Sequence, residues 1–295
     1  MAKLHSPQGI RSLEKKYNFH MAKKFGQNFL TDESIILDIV ESAGITERDL
    51  VIEIGPGMGV LTIEAAEVAG KVVAIEIDRK LIPILGETLR LYDNVKIINE
   101  DIMQANLAEI IENERQLSDG SNAESVRILG NLPYYITTPI LMKLLEDRVA
   151  AETITIMVQK EVAERIAAPP GSRTYGAISV AVQYYCEVEY VKTVPKEVFV
   201  PRPKVDSAIL LLKVRKQSPV DLVSEELFFE CIKKGFGQRR KTLKNSLTDI
   251  QGINKEDIGN ILTECGIDPI RRAETLSISE FATLANRLAS LGLQL

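Results

Sequence analysis

Short apolar runs punctuated by turn-forming residues recur along most of the chain. Residues 51–54, 71–77, 95–99, 126–129 and 153–159 each read as a buried strand. Residues 35–43 follow Thr31-Asp32-Glu33-Ser34, an N-cap signal, and carry a helical apolar stripe. Residues 160–168 read as a helix that Pro169-Pro170-Gly171 stops. Two further apolar runs, 188–194 and 208–214, look like late strands. After a linker at 216–219 the pattern turns wholly helical, with amphipathic candidates at 227–236, 240–247, 255–265 and 279–291 and Ser277 or Ser279 as a cap. This predicts an α/β domain over 1–215 and a small all-helical domain over 216–295.

The first strand runs into Gly55-Pro56-Gly57-Met58-Gly59, three glycines at alternate positions before a helix-compatible stretch. Glycine accepts positive φ and lets a ligand approach the backbone, so a nucleotide-type pocket is expected here. A dinucleotide fingerprint would need its third glycine at Val60, so the spacing disfavours NAD. Glu76, near the end of the next strand, is placed to accept from ribose hydroxyls, and Asp101, after the third, from an adenine amino group.

The fourth strand leads into Gly130-Asn131-Leu132-Pro133-Tyr134-Tyr135. An Asn at the end of a central strand, followed by a proline-fixed turn and two aromatics, lies where open α/β sheets bind ligands. The side-chain oxygen of Asn131 and the carbonyl of Leu132 suit the two N–H groups of an exocyclic amine. Tyr134 offers a stacking face for an extruded base, and Phe199, in a proline-rich loop, offers a second face or a core plug. In Phe25-Gly26-Gln27-Asn28-Phe29-Leu30 the polar pair lies between aromatics, so this segment is either packing or an arm closing over the pocket.

Composition narrows the class. The chain has 295 residues, 45% hydrophobic, and no apolar run approaches bilayer-spanning length, so a soluble, cytoplasmic protein is expected, without a membrane partner. Cys186, Cys231 and Cys265 form no C-x-x-C pair, and the two histidines, His5 and His20, lie in the basic leader, so no metal site is expected. Serine-hydrolase and P-loop signatures are absent. The net charge of −5 hides segregation: residues 1–25 carry a surplus of five positive charges and residues 190–245 a surplus of seven, leaving the rest at −17. Two basic segments around a nucleoside pocket suggest phosphate contacts, with Lys23, Lys24, Lys204, Lys233, Lys234, Arg239, Arg240, Lys241 and Lys244 as candidates.

In this order the glycine loop, Glu76, Asp101 and Asn131-Leu132-Pro133-Tyr134 resemble S-adenosylmethionine-dependent adenine N6 methyltransferases. Phe25 to Leu30 (FGQNFL), Phe199 to Ser207 (FVPRPKVDS) and Phe236 to Leu243 (FGQRRKTL) are similar to motifs of the bacterial small-subunit ribosomal RNA dimethyladenosine transferases, the kasugamycin-resistance type. The resemblance covers residue 20 or so to the end. It implies a Rossmann-like, mostly parallel seven-stranded class I methyltransferase sheet with a helical C-terminal domain. The implied cofactor is S-adenosylmethionine, contacted by Asn28, Leu30, Gly55, Gly57, Glu76, Asp101 and Asn131. The implied reaction is dimethylation of two adjacent adenosines in a hairpin loop near the 3′ end of 16S rRNA. The expected partner is that RNA in the small subunit or its precursor, met by a monomeric enzyme with a role in subunit biogenesis.

Overall fold

A computed structural model describes residues 4–21, 25–248 and 250–292. The chain forms two compact units: Met1–Ala163 with Val188–Val214, and Glu164–Glu187 with Arg215–Leu295. The expected division at 215/216 is therefore incomplete, because the chain also passes into the helical unit between 164 and 187. The cause is apolar pairing: Tyr175, Val180 and Tyr184 are buried in one cluster with Phe228, Ile232 and Leu284 of the later helices.

The strands are β1 (Phe29–Leu30), β2 (Asp49–Ile54), β3 (Lys71–Glu76), β4 (Val95–Asn99), β5 (Ser125–Asn131), β6 (Thr153–Gln159), β7 (Cys186–Val194), β8 (Phe199–Val200) and β9 (Ser207–Val214). Seven of them form one sheet in the order β4-β3-β2-β5-β6-β9-β7, and β1 with β8 forms a separate two-stranded ladder. The pairs β2/β3, β3/β4, β2/β5 and β5/β6 are parallel, and β9 runs antiparallel to β6. The strand order reverses between β2 and β5, which opens a crevice beyond their carboxyl ends.

Burial explains why the central strands read so clearly. Every residue of β2 is buried, as are all but the first of β3. The helix Glu33–Ala43 starts on Asp32, whose carboxylate accepts from Ser34 N at 2.9 Å, and ends on Gly44. Its Ile36, Ile39 and Val40 pack with Val51, Val72 and Leu129 of the sheet. Such burial contributes about 1.5–3 kcal/mol per large aliphatic side chain, the main force holding the layers together.

In the helical unit, helices Ala177–Tyr185, Glu225–Gly237, Leu243–Ser246, Lys255–Glu264 and Ile278–Ser290 enclose the second core. Ser277 caps the last of these in a reciprocal capping box, with Glu280 N donating to Ser277 Oγ at 3.2 Å and Ser277 N donating to Glu280 Oε2 at 2.8 Å. The helix expected at 240–247 is shorter. Gln238 to Lys241 close a turn, and Leu243 N donates to the Arg271 carbonyl at 2.7 Å, so the basic run lies in a loop.

Gly70, between the helix Val60–Val68 and β3, has no room for a side chain: a Cβ there would lie 2.3 Å from the Glu47 carbonyl oxygen and 2.9 Å from Leu117 Cδ1. Gly70→Ala is expected to destabilise the protein by roughly 1–3 kcal/mol, the usual range for overpacking. Urea unfolding of the variant beside the parent checks this.

Candidate active site at the carboxyl ends of the central strands

The glycine turn is fixed through two of its backbone N–H groups, one to a backbone carbonyl and one to a carboxylate. Gly55 N donates to the Ile75 carbonyl at 3.0 Å, and Gly57 N donates to Glu76 Oε2 at 3.1 Å. Gly55 and Gly57 have φ of +71° and +61°, in the left-handed region that favours glycine. Their surroundings differ. A Cβ on Gly57 would meet the Phe29 ring at 2.9 Å, whereas one on Gly55 would project into open space. The turn thus presents bare backbone to a cavity lined by Gly55, Gly57, Glu76 and Asn131, among others.

Glu76, expected to hold ribose hydroxyls, is buried at the end of β3. Its Oε1 accepts from Asp78 N at 2.8 Å and its Oε2 from Gly57 N, so the carboxylate ties the turn to the strand. Each carboxylate oxygen has a second lone pair, which leaves it able to accept from a bound hydroxyl. Burial pushes its pKa up to about 7, against the lowering effect of these backbone donors.

Sequence reasoning missed Glu53. It is only 1% exposed, it lines the same cavity, and its Oε2 has no hydrogen-bond partner among the described residues. Burial is the main cause of a pKa raised to about 7; the nearby Thr62 hydroxyl opposes it and the Glu76 carboxylate adds to it. The available signal was an acid inside an otherwise apolar strand, two positions before the first glycine.

The basic leader reaches the cavity through an arm. In the β1/β8 ladder Leu30 pairs with Phe199 and Phe29 with Val200, and Thr31 N and Oγ1 both donate to the Val198 carbonyl at 2.8 Å. Further out, Gln27 Nε2 donates to Asp78 Oδ2 at 3.0 Å, and Lys16 and Tyr17 hold Glu87. Ile10, Phe19, Phe29 and Met58 pack together beneath it. Phe25 to Leu30 line the cavity, and Phe29 also packs with Phe19 and Ile10, so the segment serves both as packing and as pocket wall.

Asn131 closes β5. Its Nδ2 donates to the Asn28 carbonyl at 3.0 Å, which leaves Oδ1 as its acceptor. The Asn28 side chain itself turns back, donating from Nδ2 to the Gly26 carbonyl at 2.9 Å. Leu132 N donates to the Met157 carbonyl at 3.1 Å, and the Pro133 carbonyl accepts from Ile136 N at 3.1 Å and Thr137 Oγ1 at 3.0 Å. The Asn-Leu-Pro-Tyr turn is thereby held to both β6 and the next helix. Tyr134 lines the cavity, with its Oη 2.6 Å from Ser207 Oγ; burial raises its phenol pKa.

One cavity thus brings together Asn28, Leu30, Gly55, Gly57, Glu76, Asn131, Leu132 and Tyr134. Asp101 lies in an adjoining cleft with Ile102 and Tyr135, which shares the walls Phe25, Gly55, Ile77 and Pro133 with the first. Its Oδ1 accepts from Met103 N at 2.9 Å. Phe199 is a correction. It is 2% exposed and packs in the core with Leu30, Ile39 and Ile209, so it plugs the edge of the core and offers no face for a base.

Of the basic candidates, Lys23 and Lys24 lie outside the described residues. Lys204, Lys233, Arg240 and Lys241 are exposed, and Lys234 and Lys244 are partly buried. Arg239 is exposed but anchored, with Nη2 donating to the carbonyls of Arg173 at 3.2 Å and Tyr175 at 3.1 Å. Among the described residues no helix is long and apolar enough to cross a membrane, and no cluster of three or more His, Cys, Asp or Glu is placed to hold a metal.

A buried carboxyl with a raised pKa opposes folding as pH rises. The unfolded chain ionises near the ordinary value of 4.5 and the folded one near 7, so stability from Glu53 falls across that interval and then levels off. Glu53→Gln removes this loss. The variant is expected to exceed the parent by about 1–3 kcal/mol at pH 8, with the advantage shrinking toward pH 5. Urea unfolding at both pH values checks it; a difference independent of pH contradicts the reading.

Comparison with known proteins agrees with this geometry. A family model described as ribosomal RNA adenine dimethylase matches residues 18–290. A Clostridioides difficile protein named ribosomal RNA small subunit methyltransferase A is 49% identical over 286 residues, covering 97% of each chain. One of the same name from Bacillus cereus is 50% identical over 291 residues, covering 98% of each. The crystal structure of a dimethyladenosine transferase from Plasmodium falciparum shares the fold, with a TM-score of 0.75 at 24% identity over 90% of this chain and 98% of that one. That of the 23S rRNA methyltransferase ErmE gives 0.68 at 27% identity over 88% and 99%. With a glycine-turn cavity, an Asn-Leu-Pro-Tyr corner and a family match over nearly its whole length, this chain belongs to the ribosomal RNA adenine dimethylases.

Proposed function

We propose that the protein uses S-adenosylmethionine to dimethylate the N6 amino groups of two adjacent adenosines in a hairpin loop near the 3′ end of 16S rRNA, as a step in small-subunit biogenesis. The observation that carries this reading is the Asn131 amide: its nitrogen is bound to the Asn28 carbonyl, so its oxygen remains as an acceptor beside the glycine turn. The small subunit is favoured over the large one by relatives of about half-identical sequence that bear a small-subunit name.

The residues present fit the cofactor. Gly55 leaves open space where a Cβ would stand, Glu76 retains acceptor capacity for ribose hydroxyls, and Glu53 holds a buried oxygen without a partner. When bound, S-adenosylmethionine supplies a methyl carbon on a positively charged sulfonium that departs as a neutral thioether. Glu76 and the glycine turn would hold the nucleoside, and Asp101, in the adjoining cleft, would accept from an adenine amino group. Phe25 to Leu30 exclude water from above.

The amine to be methylated is a poor nucleophile because its lone pair is delocalised into the ring. In the first transfer Asn131 Oδ1 and the Leu132 carbonyl each accept one N6 hydrogen, which fixes the nitrogen and turns its lone pair toward the methyl carbon; the methylated, cationic nitrogen then releases one proton to water, and in the second transfer its one remaining N–H donates to one of the two acceptors. Tyr134 stacks on the extruded base. Orientation and preorganised dipoles supply the rate, and no strong base is required. The exposed Lys204, Arg240 and Lys241 pair with RNA phosphates, together with Lys233, Lys234, Lys244 and the leader lysines 23 and 24.

Incubating the purified protein with methyl-labelled cofactor and small subunits from a strain lacking the modification tests the proposal. The expected product is dimethyladenosine at two neighbouring positions near the 3′ end; label in large-subunit RNA or at another base overturns it. Asn131→Ala is expected to slow transfer by at least about 100-fold, the order for losing an oriented transition-state contact. Calorimetry should still find measurable cofactor binding, and full turnover would misplace the chemistry. Charge reversal at Arg240 and Lys241 is expected to weaken RNA binding about tenfold or more at low salt and much less at high salt, read from filter-binding titrations.

A further inference from the structure

Tyr134 is held from outside the Asn-Leu-Pro-Tyr corner, and the residue that holds it has no role in the reading above. Ser207 opens β9, is 0% exposed, and lies opposite Gln159 in the β6/β9 ladder. Its Oγ is 2.6 Å from Tyr134 Oη. The residue before it is fixed on both sides: the Asp206 carboxylate accepts from Lys196 N at 3.1 Å, and the Asp206 carbonyl accepts from Lys160 N at 3.0 Å. The hydroxyl therefore stands on a rigid post.

A tyrosine attached to a fixed turn at one end and to a fixed hydroxyl at the other has one ring orientation. Without the second attachment the ring can move among the staggered χ1 wells and over the broad, roughly two-fold χ2 profile. Stacking needs the ring plane set before the base arrives, and a ring already set loses less freedom on binding. The short bond also satisfies a phenol that is partly buried and stays protonated well above neutral pH.

We propose that Ser207 is a positioning residue of the methyl-transfer site, holding the Tyr134 ring in the plane that receives the target adenine. This rests on the assignment of Tyr134 as the stacking face. It gives the proline-rich segment before β9 a part in the site that differs from stacking by Phe199, which the core burial of that ring excludes. Ser207 acts through Tyr134 and touches neither cofactor nor base.

The test is single-turnover methylation of unmodified small subunits by Ser207→Ala, Tyr134→Phe and the double variant, with cofactor affinity from calorimetry and thermal midpoints measured alongside. Each single variant is expected to slow transfer roughly tenfold, the order of one lost hydrogen bond. Cofactor affinity should stay within about twofold, because neither Ser207 nor Tyr134 is among the residues assigned to the cofactor. The double variant should be no slower than either single one, since all three lack the same bond. Wild-type rates in both single variants, or multiplying losses in the double variant, overturn the proposal. A loss confined to thermal stability at unchanged rate overturns it too. Should Ser207→Ala fold poorly, Tyr134→Phe still decides, because it removes the bond while keeping the ring. If the parent itself transfers no methyl to adenine, the functional reading fails instead; if the parent is active and Tyr134→Phe is indistinguishable from it, only the positioning role fails.

Discussion

One hydrogen bond ties the arm to the reactive corner of the site: Asn131 Nδ2 to the Asn28 carbonyl, 3.0 Å long and spanning 103 residues of chain. One partner is at the end of β5, the other in an arm outside the main sheet. An amide has one good acceptor and one good donor group, so occupying the donor decides which way the side chain faces. The arm is itself fixed by the β1/β8 ladder, by Gln27 on Asp78, and by Lys16 and Tyr17 on Glu87. Wall and reactive corner are therefore built together. Were the arm displaced, the pocket would lose one side and Asn131 would lose the constraint on its orientation.

The second constraint is electrostatic. Glu53 and Glu76 stand on neighbouring strands, both buried and both with pKa values near 7. Burying carboxyl groups costs stability unless they are compensated. Glu76 is partly compensated by Gly57 N and Asp78 N, and Glu53 less so, with the Thr62 hydroxyl nearby but no hydrogen-bond partner for its Oε2 among the described residues. A folded protein keeps such a group where a bound ligand supplies what is missing. The pocket is thus built at the expense of intrinsic stability, and the packing of the apolar residues of β2 and β3, such as Val51 and Val72, against flanking helices sustains it.

Much of this was legible in the residues. The central strands announce themselves because both sheet faces are covered, which turns strand sequences into continuous apolar runs. The glycine turn, Glu76 and Asn131 were readable because strand ends in such sheets mark the ligand crevice. Other features leave no periodic trace. β1 and β8 are two residues each, too short for any alternation, so the arm's wall position stayed one of two options and Phe199 looked available for stacking. Pairing with Leu30 is what draws that ring into the core. The passage of 164–187 into the helical unit was hidden because an amphipathic helix shows that it has an apolar face but not which core receives it. Glu53 and Ser207 were passed over because each sits in a strand read mainly for its apolar run.

The most direct test of the account is the structure of the protein with S-adenosylmethionine's demethylated product and adenosine bound together. The account predicts the adenosine N6 within hydrogen-bonding distance of Asn131 Oδ1 and the Leu132 carbonyl, its ring on Tyr134, and the Asn131 nitrogen still on the Asn28 carbonyl. An N6 directed elsewhere, or an Asn131 amide released from the arm and reversed in the filled site, would contradict it.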